Sequence, residues 1–412
     1  MLGLLVAQCA LATSPGVDLF LLDDYSMDPE AMGYRTVPPP PQITSVVSNR
    51  WEGERGDAVT DLSSRLRSRY LHPATESLVF RVDAEARVLY PTRFDAITDD
   101  RLRFEGRIHE AALRHDRGRF ETDAGWQALR WGAIPGAGVL DVISPQALSA
   151  DADIQRQKAP QLSLRTAVEF ADQSLSFFIT PTPGFAPELA DDPVLTPATD
   201  DLSPEFGAQL QWQGVRGTFF ANAAMLVPDT ATRSEAQATE ADLTPYSLLG
   251  MGATLPVGPT EWKAELAYKS GLRPANPATI AEPAPVALGG TRDRLDGAVG
   301  VDFNSPVYGR WSGYLTLYWW LDDSDLSESQ IWGSDMAVSW QESWLDQRLE
   351  TTLTGYSSLT EPVLAGIVSG MWRFSPRMEL ETALTHYLAD DGTPFADLDG
   401  ETQFSTEWRY LF

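Results

Sequence analysis

The chain has almost no cysteine. Its 412 residues include a single one, Cys9, which argues against a small fold held together by disulfides. Cys9 lies in a short apolar stretch, Leu2–Ala12, that ends in Ala10-Leu11-Ala12, the small-x-small pattern of a secretory cleavage site. We therefore predict a signal peptide over residues 1–12, whose missing basic region suggests a truncated start, and a mature chain without thiols. A buried first helix or strand is the alternative interpretation.

Long apolar runs and lysines are scarce as well. No stretch approaches the roughly 18 apolar residues of a membrane-spanning helix. Lysine occurs only at positions 158, 263 and 269, and 58 acidic residues against 31 basic ones give a formal charge of −27. This balance argues against nucleic acid as a partner. The histidines form no cluster with the spacing of metal ligands, so no metal or cofactor is implied. They are His72, His109, His115 and His386.

What the sequence does have is alternation. Between Ser77 and Tyr90, apolar residues at even positions alternate with mostly charged residues at odd positions. Because successive side chains of a strand point to opposite faces, this pattern indicates strands that separate water from an apolar phase. The pattern predicts eighteen strands, or sixteen if the first pair is misread. They are 42–54, 62–71, 77–90, 101–112, 119–131, 161–170, 174–181, 206–213, 215–226, 247–256, 260–269, 293–304, 310–321, 331–341, 345–356, 363–374, 377–388 and 401–412.

The predicted connections alternate in length. Short ones fall near 171–173, 214, 257–259, 342–344 and 375–376, and long ones fall at 132–160, 182–205, 227–246, 270–292, 322–330 and 389–400. This segregation is typical of outer-membrane barrels. We predict an all-β fold over residues 42–412, a transmembrane antiparallel up-and-down β-barrel with short periplasmic turns and long extracellular loops. Residues 13–41 are acidic and end in Pro38–Pro41, which predicts a periplasmic N-terminal segment with a stiff spacer.

The last strand has one largely aromatic face and ends the chain on phenylalanine. Such an ending resembles the signal by which the barrel-assembly machinery recognises Gram-negative outer-membrane barrels. The residues that carry this resemblance are Phe404, Trp408, Tyr410 and Phe412. We expect them to face lipid and expect Glu407 and Arg409 to face the lumen. An edge strand of a soluble β-sandwich is the alternative.

Arginine is concentrated near the start of the predicted barrel. Residues 50–130 hold 15 arginines and 15 acidic residues. On the strands these charges share the polar parity, so we expect a charge ladder that faces the lumen. It would attract an anionic solute or serve only to stiffen the wall, and the sequence leaves both open. The predicted ladder consists of Arg65, Arg67, Arg69, Arg81, Asp83, Glu85, Arg87, Arg103, Glu105 and Arg107.

The segment 132–160 interrupts the alternation with a glycine-rich first half and a polar second half. A barrel of about eighteen strands has a wide lumen, and we favour a loop that folds inward as a constriction or plug over one that covers the outer mouth. Its candidate residues are Trp131, Gly132, Asp141, Pro145, Arg156 and Lys158.

Two further groups have weaker functional interpretations. The first group, Tyr314, Tyr318 and Trp320, shares the lumenal parity. We favour packing of these rings against a lumenal loop over a file of aromatics that guides sugars along the pore. An enzyme that modifies outer-membrane lipids would need a nucleophile, a histidine and an orienting group together. His386 is the one histidine for which we find candidate partners, Thr382 and Ser357, in the predicted sheet. Because this evidence for a catalytic group is weak, we do not expect an enzyme.

Three short motifs carry a family resemblance. They are Gly125-Trp126-Gln127, Arg130-Trp131-Gly132 and Leu140-Asp141-Val142-Ile143-Ser144-Pro145. Together they resemble a strand end and loop of an uncharacterised family of proteobacterial outer-membrane barrels, which is itself similar to alginate-export porins. Trp126 stands where that family has arginine. The resemblance implies a barrel and a link to exporters of the RND type, with no settled substrate.

These observations predict an outer-membrane protein of a Gram-negative bacterium that passes a solute or polymer across that membrane. The solute would be anionic if the lumenal arginines contact it. The protein would act as part of an export system or alone. The alternative is a non-conducting barrel for surface structure, adhesion or lipopolysaccharide contact. Expected partners are membrane lipid, lipopolysaccharide, the assembly machinery and a periplasmic or inner-membrane exporter.

Overall fold

The computed structural model is a closed barrel of eighteen antiparallel strands. It describes residues 41–54, 59–90, 102–134, 138–145, 158–183, 203–228, 232–234, 237–242, 244–276, 286–287, 290–305, 307–322, 326, 328–358, 360, 363–390 and 399–412. The predicted signal peptide, and the predicted periplasmic segment apart from its last residue, lie outside these residues. Among the described residues, no helix has the length and apolar character needed to cross a membrane.

The elements follow one another along the chain as hairpins. In order they are β1 Gln42–Glu54, β2 Val59–Thr75, β3 Leu78–Leu89, β4 Arg103–Arg117, β5 Phe120–Gln127, β6 Gln161–Phe170, β7 Gln173–Thr180, β8 Glu205–Gly214, β9 Gly217–Leu226, β10 Thr232–Ser234, β11 Gln237–Asp242, β12 Tyr246–Val257, β13 Thr260–Leu272, β14 Ala275–Asn276, β15 Val286–Ala287, β16 Arg292–Ser305, β17 Gly309–Trp320, α1 Glu328–Ile331, β18 Trp332–Trp344, β19 Leu349–Ser358, β20 Val363–Ser375, β21 Met378–Ala389 and β22 Thr402–Leu411. The short strands β10, β11, β14 and β15 form a separate four-stranded sheet within two of the long connections, and the other eighteen form the barrel.

The barrel closes between its first and last strands. β22 pairs with β1 from Val46 opposite Leu411 to Glu54 opposite Gln403, and the backbone N–H of Phe412 donates to the carbonyl of Ser45 at 2.9 Å. Closure leaves no unpaired sheet edge, which a strand assembly in hydrocarbon requires. The strand number of eighteen is therefore confirmed and the alternative of sixteen is wrong. An even number of strands also brings the first and last residues of the barrel to the same side of the membrane.

The wall separates residue types as the alternation predicted. On β3, the apolar side chains of Phe80 and Val82 are exposed on the outer face, while Asp83 is buried on the inner one. The same division holds on β12, where Leu249 and Met251 are exposed outside and Leu248 is buried inside. Exposed apolar side chains on an outer wall are stable in lipid and costly in water.

Aromatic residues gather near both rims of the barrel. Close to the short connections, the rings of Trp311 and Trp340 lie 6.3 Å apart, and both indole N–H groups donate to the carbonyl of Tyr308, at 3.0 and 2.9 Å. Near the opposite rim, Trp319 lies beside Trp332 in the register of β17 and β18. Two aromatic girdles are a common feature of proteins that span a bilayer.

One predicted turn is wrong. The turn expected at 342–344 belongs to β18, which continues to Trp344 and pairs it with Leu349. The chain reverses at 345–348 instead, where Leu345, Asp346 and Gln347 all have positive φ. This turn contains neither glycine nor proline, the residues that usually mark reversals, so the alternation gave no sign of its position.

Two predicted strands have wrong ends, and one of them, β4, contains a bulge. Asp83 lies opposite Glu110 and Ala84 opposite Ile108, so β4 has one extra residue at this point. A bulge of this kind shifts the parity of everything that follows it. β4 therefore continues to Arg117, five residues past the predicted end, with Arg114 on the lumenal face. β5 ends at Gln127, before the predicted Trp131.

Candidate functional site

The lumenal face of β2 and β3 carries an interlocked set of charges. Arg67 binds Asp83 through two parallel hydrogen bonds, Nε to Oδ1 at 2.7 Å and Nη2 to Oδ2 at 2.6 Å. Arg65 lies 3.4 Å from Glu85. Bidentate contacts of this kind need the planar fork of arginine, which explains why arginine and not lysine occupies this wall.

A second cluster extends the first toward β5 and β6. Asp123 is 2% exposed, and its carboxylate accepts from Arg81 at 2.8 Å, from Arg114 at 3.0 Å and from Arg165 at 3.3 Å. Arg81 also lies 3.1 Å from Glu110. One carboxylate thus holds three guanidinium groups from three different strands.

The ten residues predicted as a ladder all lie on strands β2, β3 and β4 with their lumenal parity intact. In the register, Glu85 lies opposite Arg107, and Arg87 lies opposite Glu105. Residues that face each other across a strand pair share a face. Four of the ten, Arg67, Arg69, Arg81 and Asp83, border one cavity. The other six lie elsewhere on the same face.

That cavity has a volume of about 480 Å³ and lies between the charged wall and the segment that follows β5. Seven of its lining residues are basic and three are acidic, an excess of four positive charges with histidine neutral. The basic ones are Arg67, Arg69, Arg81, Arg114, Arg130, Arg165 and Lys158, and the acidic ones are Asp83, Glu110 and Asp123. The excess is notable in a chain whose formal charge is −27.

The sequence reasoning missed Arg114, Asp123, Arg130 and Arg165 as members of this group. Arg114 was hidden by the bulge in β4. Asp123 and Arg165 lie opposite each other on β5 and β6, a pairing that no alternation within one strand reveals.

The segment between β5 and β6 folds into the barrel. Its described residues bury Leu129, Trp131, Leu140 and Ile143 against the lumenal side chains of β7, β9 and β12. Leu140 is 0% exposed and Ile143 is 1% exposed. Trp131 meets Phe178 of β7 edge to face, with ring centroids 5.1 Å apart. The described parts of this loop, which we call the inner loop (128–160), therefore lie inside the lumen.

The motif from Leu140 to Pro145 fastens the base of the inner loop. Lys158 donates from Nζ to the carbonyls of Asp141 at 2.5 Å and of Ser144 at 3.1 Å. The hydroxyl of Ser144 accepts from the N–H of Leu129 at 2.7 Å, and Asp141 Oδ1 accepts from the N–H of Trp131 at 3.4 Å. Pro145 is fully buried. The candidate residue Arg156 lies outside the described residues.

Glu265 of β13 holds the middle of the inner loop, and no pattern in the sequence marks it. Its Oε1 accepts from the N–H groups of Ala133 at 2.5 Å and Ile134 at 2.9 Å, and its Oε2 accepts from that of Leu140 at 3.1 Å. Gly132 has a φ of +95° and leaves no room for a side chain, because a Cβ there would lie 2.6 Å from Oε1.

The lumenal aromatics are engaged in packing. Arg294 lies over the rings of Tyr318 and Trp320, 5.2 Å from each centroid, and Tyr314 packs against the cluster of Ile134 and Ala298. For Tyr314 this arrangement agrees with packing against an inner loop, whereas Tyr318 and Trp320 pack against Arg294. His386 faces outward, with Nδ1 2.9 Å from the hydroxyl of Thr402.

The aromatic face of β22 lies on the outer wall. Phe404 meets Trp51 with ring centroids 5.7 Å apart, and Trp408 meets Phe374 at 5.3 Å. On the lumenal face, Arg409 Nη2 lies 2.7 Å from Glu381 and 3.0 Å from Glu407. The four residues of the predicted assembly signal, Phe404, Trp408, Tyr410 and Phe412, share the outward parity.

Comparison with known proteins identifies the class of fold. No family model and no curated protein sequence matches the chain. Three similar solved structures are Pseudomonas aeruginosa OpdK with vanillate (9% identity, 90% of this chain and 98% of that chain covered, TM-score 0.54), Acinetobacter baumannii OccAB4 (9%, 92% and 100%, 0.54) and Pseudomonas aeruginosa OccD3 (9%, 92% and 93%, 0.53). At this level of identity the likeness concerns the fold alone.

The chain has the fold of an outer-membrane porin-type β-barrel. The predicted fold class is confirmed. The predicted outer-membrane localisation agrees with this fold and with the apolar, girdled outer wall.

Proposed function

We propose that the protein is a channel that passes an anionic solute or polymer across the outer membrane. The observation that carries this proposal is the lumenal cavity of about 480 Å³, lined by seven basic and three acidic residues. A basic cavity in the lumen of an acidic protein concentrates anions along the path of a solute.

Arg130 supports a role in contact with solute. It comes from the inner loop, borders the cavity and is exposed. It forms no ion pair with any described residue, whereas Arg67 and Arg81 are held by carboxylates. An exposed guanidinium that no carboxylate neutralises is available to an anion.

The inner loop supports a restricted passage. Its apolar core covers part of the lumenal face of β7, β9 and β12, so a solute has less than the full cross-section of the barrel. The resemblance of the Leu140–Pro145 motif to barrels similar to alginate-export porins favours a polymer and an exporter as partner. We propose export as the direction on that resemblance.

Planar-bilayer recording tests the proposal. The purified barrel is expected to give discrete conductance steps and a reversal potential in a KCl gradient that indicates anion preference. A variant that lacks residues 133–158 is expected to conduct more. If neither protein conducts, the channel is wrong and the non-conducting barrel, a surface or lipopolysaccharide-contacting structure, takes its place.

A further inference from the structure

We propose that Glu265 is the anchor that fixes the inner loop and thereby keeps the open passage on the arginine-lined side of the lumen. The effect on the passage rests on the proposed channel function, whereas the anchoring does not. Glu265 is a positioning residue in this proposal, since it acts on the solute only through the loop.

The first observation is the number of backbone groups that one carboxylate satisfies. Ala133 and Ile134 donate to one oxygen and Leu140 to the other, so Glu265 ties both arms of the bend between residues 133 and 140. A bend of this kind buries amide groups that otherwise need water or a carbonyl partner. Leaving such donors unpaired is costly, so the carboxylate stabilises the bend where it lies.

The second observation is that the bend is shaped around this carboxylate. A Cβ on Gly132 would lie 2.6 Å from Oε1, and a Cβ on Gly138 would lie 2.8 Å from Oε2 and 2.6 Å from the carbonyl oxygen of Ile134. Glycine at both positions therefore lets the backbone approach the Glu265 carboxylate closely, in addition to the positive φ of Gly132 and the contact of Gly138 with Ile134.

The third observation concerns what else holds the bend. The base of the loop has its own fastening in Lys158 and Ser144. Within the bend, the side chain of Ile134 packs against β16, because Cδ1 of Ile134 would lie 3.6 Å from a Cβ on Gly300. Among the described residues, Glu265 supplies the hydrogen bonds from the wall to residues 133 and 134. Loss of Glu265 should therefore release residues 133 and 134 from the wall, while the base and the apolar contacts of Leu140 stay in place.

The direction of the effect follows from the two sides of the loop. The cavity with its excess of basic residues is bordered by β2–β8 and the loop, and Glu265 lies on β13. Release of the bend from β13 opens a second route behind the loop, along a wall that carries Glu261, Lys263 and Asp302. Ions that pass there avoid the arginines, so conductance should rise and anion preference should fall.

Glu261 provides a matched control. It lies on the same strand and the same lumenal face as Glu265, and it pairs with Lys263 at 3.3 Å. It forms no hydrogen bond with the described residues of the loop. Glu261→Ala removes the same charge as Glu265→Ala. Loss of a negative charge alone should raise anion preference, which is opposite to the change expected from release of the loop.

The anchor is tested first without ion conduction. Peptide-resolved hydrogen exchange of the folded barrel should show the amides of Ala133, Ile134 and Leu140 exchanging about tenfold faster or more in Glu265→Ala, and unchanged in Glu261→Ala. If Glu265→Ala fails to assemble, Glu265→Gln serves in its place, because its amide N–H₂ would face the Leu140 N–H and deprotect mainly that residue. Unchanged protection in the variant that folds overturns the anchor.

Bilayer recording of the same variants tests the passage. The expected result is larger conductance and a reversal potential closer to zero for Glu265→Ala, with no loss of anion preference for Glu261→Ala. Faster exchange with an unchanged reversal potential would overturn the claim that the anchor sets the passage. If no variant and no wild-type barrel conducts, the channel function fails, and hydrogen exchange still decides whether Glu265 anchors the loop.

Discussion

Arg81 and Asp123 bind each other across an intervening strand. Arg81 is on β3 and Asp123 on β5, and Nη2 lies 2.8 Å from Oδ1. The side chain of Asp123 is 3% exposed, whereas those of Arg114 and Arg165, which share it, are 33% and 34% exposed. The carboxylate is therefore the buried centre of the cluster, and the guanidinium groups extend from it toward the lumen.

Replacing Asp123 should destabilise the barrel wall more than replacing its neighbour Glu121. Asp123→Ala leaves three arginines without their common carboxylate, and we expect a loss of about 2–3 kcal/mol in the free energy of unfolding. Glu121 binds Arg114 and Arg165 but is 26% exposed, so Glu121→Ala should cost about 1 kcal/mol or less. Urea unfolding in lipid vesicles measures both. Equal losses would show that Asp123 is not the centre.

Removing Arg130 should weaken anion preference and leave stability unchanged. Its guanidinium borders the cavity and is tied to no carboxylate among the described residues, so Arg130→Ser removes a charge without breaking a pair. Arg377→Ser is the control, since it removes an equal charge from an exposed position in the connection of β20 and β21. The reversal potential in a KCl gradient should move toward zero for the first variant and little for the second. Equal shifts would mean that only total charge matters.

The fold was predictable because each residue of a membrane-spanning barrel wall faces either the lipid or the lumen, and its polarity matches that side. Leu249 and Leu248 are neighbours in sequence and identical in type, yet Leu249 is exposed on the outer wall and Leu248 is buried against the inner loop. Charged and polar neighbours on most strands keep these two faces distinct. The eighteen strands therefore followed from alternation together with the lengths of the connections, although some strand ends did not.

The site was harder to predict because its contacts join distant parts of the chain. Glu265 lies 131 residues beyond Ile134, and nothing in its own strand distinguishes it from Glu261. The bulge in β4 next to Glu110 is likewise not marked by any sequence pattern, although it determines that Arg114 lies on the lumenal face. The loop motif was found, but its chemistry as a fastening by Lys158 needed three-dimensional contacts.

A side chain on Gly132 should dislodge the inner loop without harming the barrel. Its φ of +95° and the contact of 2.6 Å with Glu265 make alanine unfavourable there, by about 1–3 kcal/mol. Gly106→Ala is the control, because a Cβ at that position meets nothing within 4 Å. Limited proteolysis should cut the loop faster only in Gly132→Ala. In the Glu265→Ala background the contact with the carboxylate is gone. The loop of the double variant should therefore be cut faster than that of Glu265→Ala alone only to the extent that the positive φ of residue 132 strains the backbone.

Shortening the final aromatic should slow assembly of the barrel. Phe412 is 66% exposed on the outer wall, and Ile43 on the neighbouring strand is 69% exposed, so the two lose similar lipid contact when replaced by alanine. If the assembly machinery recognises the aromatic end, Phe412→Ala should accumulate unfolded chain in cells and Ile43→Ala should not. The heat-modifiable electrophoretic mobility of folded barrels gives the folded fraction. Equal defects would indicate that lipid contact alone matters at this rim. Normal folding in vesicles, together with slow assembly in cells for Phe412→Ala, would assign the residue to recognition by the machinery.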